Sequence, residues 1–178
     1  MQIPGLGRLV EDAQLGWYQS EPVPVPVLGD APCRFIVDGY VDDPAPEEFH
    51  AAIHAFLTLD RSALITATPS IFAYYRDITE EILASGDDEW YVEIEGSGDV
   101  LDHVWFGNEP MVVRDSRGDG HVYVSLECEC DWEQEHGLQL VFRDGRTVTK
   151  VGPCDGHLTN SAAWGDDSLD GIVYHNSR

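Results

Sequence analysis

The sequence is poor in basic residues. Ten Lys and Arg residues stand against 33 Asp and Glu residues, so the formal net charge is −23 with neutral histidines. Phosphate groups would be repelled by such a surface, which argues against DNA, RNA and anionic membranes as partners. The complementary partner is a basic protein, a cationic ligand or a metal ion, although acidity can also serve solubility alone.

A targeting segment, a membrane span and a disulfide framework are also lacking. Residues 1–14 carry neither a basic region nor an apolar run, so they do not read as a secretory signal. No apolar stretch is long enough to span a bilayer. Four cysteines in 178 residues are too few for a disulfide-built scaffold. These absences predict a cytoplasmic protein, and the 43% apolar content allows one domain with an ordinary core.

Several motifs of well-known enzyme and metal-binding classes are absent. The sequence contains no G-x-S-x-G nucleophile elbow, no phosphate-binding glycine loop and no H-E-x-x-H zinc motif. It contains no EF-hand loop either, so nothing in it specifically supports calcium. A non-enzymatic role is therefore favoured.

Local patterns divide the single predicted domain into four stretches. Residues 1–42 are strand-rich, and the Pro-Val run Glu21–Val27 fits an edge strand or an extended segment because proline lacks a ladder donor. Residues 43–106 are helical, 107–160 alternate as antiparallel hairpins, and 161–178 form a polar tail. These patterns predict an α+β fold, a mainly antiparallel sheet with about two helices packed on it.

Helical periodicity is confined to the second stretch. Apolar residues recur at helical spacing over Pro46–Leu59 and Ser62–Ala84, and Pro69 is expected to kink or split the second helix. An acidic loop is predicted at residues 86–89, and a short helical turn at Val100–Phe106.

The third stretch predicts a four-strand meander. Asp144-Gly145 lies between alternating segments, which is a strong signal for a two-residue hairpin. Such a hairpin would pair Leu138 with Val151 and bring their flanks together. Residues before Leu138 and after Val151 are then expected to lie at one edge of the sheet.

Acidic residues and cysteines alternate at the end of the longest strand pattern. Cys128 and Cys130 share the apolar side, and their C-x-C spacing is unusual for zinc, so packing is favoured over a zinc site with Cys154 and His136. The acidic residues predict either a partner-binding or cation-binding surface, with the ring of Trp132 buried beneath it, or a solvated acidic face without a partner. They are Glu127, Glu129, Asp131 and Glu133.

Two histidines on the flanks of the hairpin are candidates for catalysis. His136 or His157 could act as a general base, oriented by Glu133, Glu135 or Asp155. The alternative is that these residues only shape turns, since Asp-Gly is common turn chemistry.

A further pair of histidines has helical i, i+4 spacing. His50 and His54, with Glu47 one turn before, could form a two-histidine, one-carboxylate metal face. Both lie beside the apolar stripe, so exposed boundary histidines are the favoured interpretation.

Three motifs resemble a bacterial domain family of unknown function. They are C-D-W-E-x-E-H-G-L at 130–138, F-R-D-G at 142–145 and V-G-x-x-D-G-H-L-T-N at 151–160; G-W-Y at 16–18 and A-Y-Y at 73–75 are similar too. The resemblance covers most of the chain. The family has no established activity, so the resemblance implies no reaction. In size and charge the chain is also similar to immunity proteins that neutralise bacterial toxins, a likeness that transfers no residue roles.

Two functions remain open from the sequence. The first is a non-enzymatic, immunity-like protein that binds a basic protein partner through its acidic surface. The second is a metal-binding or metal-dependent hydrolase domain at residues 133–136 and 155–157, with zinc or calcium as possible ions. The oligomeric state is open under either.

Overall fold

The computed structural model describes residues 1–86, 91–116 and 118–176. Its architecture is α+β, as predicted, with a mostly antiparallel sheet and the two longer helices packed on one face. The α-helices are α1 Pro46–Phe56, α2 Ser62–Ser85 and α3 Asn160–Trp164. The strands are β1 Gln2–Ile3, β2 Gly7–Glu11, β3 Tyr18–Ser20, β4 Val23–Val25, β5 Ala31–Cys33, β6 Ile36–Val37, β7 Val104–Phe106, β8 Met111–Arg114, β9 Val122–Cys130, β10 Leu138–Arg143 and β11 Thr147–Gly152.

Within the described residues, nine strands form one sheet. Its order is β1-β2-β3-β6-β8-β9-β10-β11, and β7 pairs with the far end of β9. Strands β8 to β11 are the predicted four-strand meander, and β6 with β8 is a parallel pair. The Pro-Val run contributes β4, which pairs with β5 in a separate two-stranded sheet, a position where its prolines are tolerated.

The sheet presents two different faces. Val124 of β9 lies directly opposite Phe142 of β10, and the Phe142 ring contacts Phe56 of α1 at a centroid distance of 5.1 Å. This face, which we call the core face, carries the main hydrophobic core. Because side chains alternate along a strand, Ser125 and Glu127 point to the opposite side, which we call the outer face.

Helix α2 is continuous through Pro69, so of the kink or split predicted there the split does not occur. Proline cannot donate to the carbonyl of Ile65, which lies one turn earlier. The Thr68 hydroxyl donates to that carbonyl instead, at 2.8 Å. Since this bond satisfies the freed acceptor, the helix runs on to Ser85.

No helix among the described residues is both long and apolar enough to cross a membrane.

The hairpin of β10 and β11 corrects the predicted register. Leu140, not Leu138, pairs with Val151, and the register shifts between Val141 and Phe142. Three residues, 144–146, separate the paired ends of the strands, because Arg146 belongs to the turn. A bulge and one additional turn residue thus replace the ideal two-residue hairpin.

Three smaller predictions have other outcomes. The helical turn predicted to reach Phe106 is a 3₁₀-helix at Val100–His103, after which the chain is β7. The tail predicted to be loop-like contains α3, whose first turn is capped by the Thr159 hydroxyl. The predicted acidic loop lies, at residues 87–89, outside the described part of the chain.

An arginine clamp joins the start of α1 to the end of β8. Arg114 donates to both carboxylate oxygens of Asp43, at 2.7 and 2.9 Å, to Glu48 at 2.6 Å and to the carbonyl of Gly120 at 2.6 Å. Its guanidinium also lies over the ring of Phe49. The side chains of Arg114 and Asp43 are only 14% and 6% exposed, so the ion pair is shielded from water. The hydrogen bond from Arg114 lowers the pKa of Asp43.

We expect Arg114→Ala to lower the free energy of unfolding by about 3 kcal/mol, because it leaves the Asp43 carboxylate buried without its partner. Urea denaturation measures this loss. The matched control is Arg76→Ala, which breaks an exposed pair with Glu80 and should cost no more than about 0.5 kcal/mol. Equal losses for the two variants would contradict a special role for the clamp.

The stability lost in Arg114→Ala should depend on pH, because Asp43 titrates. The folded-state pKa of Asp43 is depressed, so the clamp contributes its full stability above the unfolded pKa of Asp, about 3.9. The contribution is lost as the pH falls through the lower folded-state value. The stability difference between parent and Arg114→Ala should therefore be constant near neutrality and shrink below about pH 4.

Candidate functional site

A large concavity lies where β7, the end of β9 and the following turn meet. It is an open groove of about 950 Å³, and we call it the acidic groove. Every acidic residue predicted for the candidate surface lines it, as does His136. The predicted acidic residues are Glu127, Glu129, Asp131 and Glu133, and the catalytic candidate Glu135 lines the groove as well.

Strand alternation determines which β9 side chains enter the groove. Glu127 and Glu129 are exposed, whereas Cys128 and Cys130 are buried in the core, as the alternation predicts. Burial raises the pKa of the Cys130 thiol to about 12. These cysteines are therefore protonated packing groups near neutral pH.

An exposed aromatic residue stands beside the acids. Trp105 of β7 pairs directly with Glu129 of β9, so both side chains lie on the outer face. The Trp105 side chain is 55% exposed, which is unusual for so large an apolar ring. The sequence pattern does not single out Trp105, because it predicts a helical turn over residues 100–106. Alternation through Val104, Trp105 and Phe106 would have placed the indole outward.

Two of the acidic side chains are used by the local structure. Glu133 accepts hydrogen bonds from the backbone N–H groups of Glu135 and His136, and its carboxylate lies 2.9 Å from His136 Nδ1. Asp131 lies 2.8 Å from His103 Nδ1. The turn closes at Gly137, where φ is +63° and a Cβ would lie 2.4 Å from the carbonyl of Cys128, so only glycine fits. The Glu133 carboxylate thus stabilises the turn in which it lies.

The other three acidic side chains have no such role. Among the described residues, the carboxylates of Glu127, Glu129 and Glu135 have no hydrogen-bond or ion-pair partner. Like charges repel, and nothing in the described part of the groove neutralises them. The groove therefore presents unpaired negative charge beside an exposed indole.

Trp132 fixes the turn from below, as predicted. Its side chain is 3% exposed and packs edge-on against the rings of Tyr74 and Tyr75 of α2. The Tyr74 hydroxyl also donates to the carbonyl of Gly137. The buried Trp132 Nε1 has no hydrogen-bond acceptor in the described structure. The ring thus ties the floor of the acidic groove to the helical layer.

A buried lysine holds the other flank of the hairpin. Lys150 of β11 is 1% exposed, and it is the only lysine in the sequence. Its ammonium donates to Gln139 Oε1 at 2.7 Å, to an Asp155 carboxylate oxygen and to the carbonyl of His157 at 3.2 Å. The same Asp155 oxygen accepts the backbone N–H of His157 at 2.8 Å. We call this arrangement the lysine node.

The electrostatics of the node follow from burial. Burial lowers the pKa of Lys150, and the Asp155 carboxylate opposes that effect. Burial alone would raise the pKa of Asp155, but hydrogen bonds from Lys150 and the His157 N–H outweigh it and lower the pKa. Because a buried ammonium needs acceptors on all its N–H groups, the chain after β11 is folded back over the sheet. Lys150 is not among the predicted site residues, although a lone lysine inside an apolar strand pattern is a visible signal in the sequence.

The two candidate histidines, His136 and His157, belong to two different turns. The backbone N–H of Cys154 donates to the carbonyl of His136, so the two flanks of the hairpin are neighbours, as the hairpin predicts. His136 lines the acidic groove and is paired with Glu133, while His157 and Asp155 lie outside its lining. Asp155 is committed to Lys150 and to its own turn. It holds His157 at 3.3 Å as part of that turn.

Within the described residues, the remaining candidate metal ligands do not form a metal-binding group. Among residues 1–86, 91–116 and 118–176, no group of three or more His, Cys, Asp or Glu side chains is placed to hold a metal ion. His50 Nε2 lies 2.8 Å from the hydroxyl of Tyr40, and His54 is exposed on α1. No observation thus favours the metal-dependent alternative over the binding one.

We expect Lys150→Met to lower the free energy of unfolding by about 2 kcal/mol, because Asp155 and Gln139 lose their partner. Amide hydrogen exchange at residues 155–158 should become faster. Adding Asp155→Asn should recover part of the loss, since no unpaired carboxylate then remains. Denaturant titration and exchange mass spectrometry measure both effects.

The control for this variant is the neighbouring Thr149→Val. The Thr149 hydroxyl makes only a long contact of 3.4 Å with the carbonyl of Val141, so the change should cost no more than about 0.5 kcal/mol. If Lys150→Met were as stable as the parent, with unchanged exchange at residues 155–158, the node would not be what fixes that segment.

Comparison with known proteins gives one match. The model of a family described as a domain of unknown function, DUF6985, matches residues 5–158 and so covers most of the sequence. No curated protein and no solved structure matches the chain. The matched range includes the acidic groove and ends within the segment that the lysine node holds. The protein belongs to the DUF6985 family, an uncharacterised domain family.

Proposed function

We propose that this protein is a non-enzymatic, cytoplasmic binding protein that uses the acidic groove to bind a basic protein partner. The single observation that carries the proposal is the coincidence of three unpartnered carboxylates with an exposed indole in one groove. The carboxylates belong to Glu127, Glu129 and Glu135, and the indole to Trp105.

Charge supports a cationic partner. The chain carries a net charge of −23, which attracts a basic surface over distances of about 10 Å at moderate salt. In the groove, the carboxylates of Glu127, Glu129 and Glu135 have no internal counter-charge among the described residues. A basic partner would supply the missing counter-charges, and the association would be fast and salt-sensitive.

The exposed indole supports a protein rather than a small ion. Tryptophan is enriched among the residues that dominate binding energy at protein interfaces, where it also stacks on arginine. Trp105 stands on a strand and next to Glu129, so a guanidinium could contact the ring and the carboxylate together. An immunity-like role, in which the partner is a basic toxin domain, is one form of this proposal.

The test uses immobilised protein and an extract of the cells that contain it. We expect the parent to retain a basic protein at about 50 mM salt and to release it at about 500 mM, because the higher salt screens exposed charges. The double variant Glu127→Lys/Glu129→Lys should bind that protein at least about tenfold more weakly, since like charges across an interface cost several kcal/mol.

The matched control keeps the net charge of that variant. Glu21→Lys/Glu95→Lys changes two exposed glutamates that line neither the acidic groove nor any other described pocket. It should retain the partner nearly as well as the parent. Retention of no protein at low salt, or equal loss in both double variants, would refute a specific role for the groove.

A metal titration separates this proposal from a metal-dependent site. We expect the melting temperature of the purified protein to be unchanged by zinc, manganese or calcium. An ion at 100 times its Kd would add about 2.7 kcal/mol to stability, which for a chain of this size raises the melting temperature by at least about 5 °C. A rise of that size would favour the metal-dependent alternative.

A further inference from the structure

A second groove adjoins the acidic groove on the outer face of the sheet. Its volume is about 570 Å³, within the range of small binding clefts. Gly107, Asn108 and Glu127 line both grooves and so form the ridge between them. The second groove is walled by apolar side chains from three separate parts of the chain, namely Trp17, Met111, Val113 and Leu158.

The floor of the second groove is polar and buried. Ser125 of β9 and Gln139 of β10 both line it, and they are only 6% and 2% exposed. Lys150 fixes the orientation of the Gln139 amide: an ammonium can only donate, so Gln139 must turn its oxygen to Lys150 and its NH₂ group to Ser125. The Gln139 NH₂ group accordingly donates to the Ser125 hydroxyl oxygen at 2.9 Å.

This arrangement leaves hydrogen-bond donors unused. The Ser125 hydroxyl accepts from Gln139, and within the described structure its own proton has no acceptor. The second N–H of the Gln139 amide has none either. Each of the two atoms already has one partner, so neither is an orphaned polar atom, and the remaining O–H of Ser125 and N–H of Gln139 can donate to an acceptor oxygen that enters the cleft.

The floor of the second groove favours a hydrogen-bond acceptor, whereas its rim favours a cationic group. Asp38, Glu109 and Glu127 line it, and all three are exposed. A ligand that fits both the floor and the rim has three parts. They are an acceptor oxygen that points to the floor, an apolar part that packs against the walls and a cationic group that lies at the rim. An extended polypeptide with alternating apolar and basic side chains has all three, because its main-chain carbonyl groups are acceptors.

We propose that an extended, basic segment of the partner protein lies in the second groove, where Ser125 and Gln139 donate hydrogen bonds to one of its main-chain carbonyl oxygens and Glu127 pairs with its neighbouring Lys or Arg side chain. The inference rests on the proposed function, because it names the part of the partner that reaches beyond the acidic groove. Lys150 has a positioning role, since it presents the Gln139 NH₂ group to the floor.

The probe is a blocked hexapeptide of alternating valine and basic residues, acetyl-Val-Arg-Val-Lys-Val-Arg-amide, titrated into ¹⁵N-labelled protein at low salt. We expect the side-chain amide signals of Gln139 to shift on addition of the peptide. They should not shift when glutamate replaces each basic residue of the peptide. This measurement uses the unaltered protein, so it does not depend on the stability of any variant.

Two variants of the floor test the hydrogen bonds. Ser125→Ala removes one donor and should weaken peptide binding about three- to tenfold, the usual effect of one hydrogen bond. Gln139→Glu keeps an acceptor for Lys150 but replaces the donor by a carboxylate, and should weaken binding by more than about tenfold. Ser85→Ala, at an exposed serine near the end of α2, is the control and should leave the affinity unchanged.

The outcomes distinguish the inference from the proposed function. If the peptide binds and Glu127→Lys/Glu129→Lys abolishes binding, while Ser125→Ala and Gln139→Glu bind as the parent does, the inference is overturned and the proposed function stands. If Glu21→Lys/Glu95→Lys weakens binding equally, attraction is by bulk charge and both are overturned. An absence of peptide binding at low salt also overturns the inference.

Discussion

The requirement that a buried ammonium group be given hydrogen-bond acceptors organises the outer face of the sheet. Lys150 lies in the sheet with almost no exposure, and water cannot satisfy its three N–H groups. The sheet supplies one acceptor through Gln139, and the chain after β11 supplies the other two through Asp155 and His157. One charge thus determines the orientation of an amide on β10 and the path of the segment that walls the second groove.

The two faces of the sheet differ in chemical character. The core face is apolar and packs on α1 and α2, with Phe56 against Phe142 and Trp132 against the tyrosines of α2. The outer face carries the polar floor, the unpaired carboxylates and the exposed indole. Because alternate residues of β9 serve the two faces, a one-residue slip of that strand would exchange Cys128 for Glu127 in the core. Its register is therefore under constraint from both sides.

Local patterns in the sequence were sufficient for the fold class and for the meander, because alternation and helical spacing are short-range signals. The outward glutamates and inward cysteines of β9 followed from the same rule. The register of the last hairpin did not, since it depends on a bulge and on Arg146 joining the turn. The continuity of α2 depended on one hydroxyl, that of Thr68, which replaces a missing donor. The lysine node could not be predicted from local patterns, because it depends on β10, β11 and a later turn coming together in the tertiary structure.

The burial of Lys150 has a consequence for the chemistry of the protein surface. No other lysine occurs in the sequence, so the folded protein has no lysine side-chain amine accessible to acetyltransferases, ubiquitin ligases or succinimidyl ester labels. Every exposed cation among its side chains is a guanidinium or an imidazolium. Modification of lysine would thus report unfolding: an acyl group on Lys150 requires that the sheet has opened first.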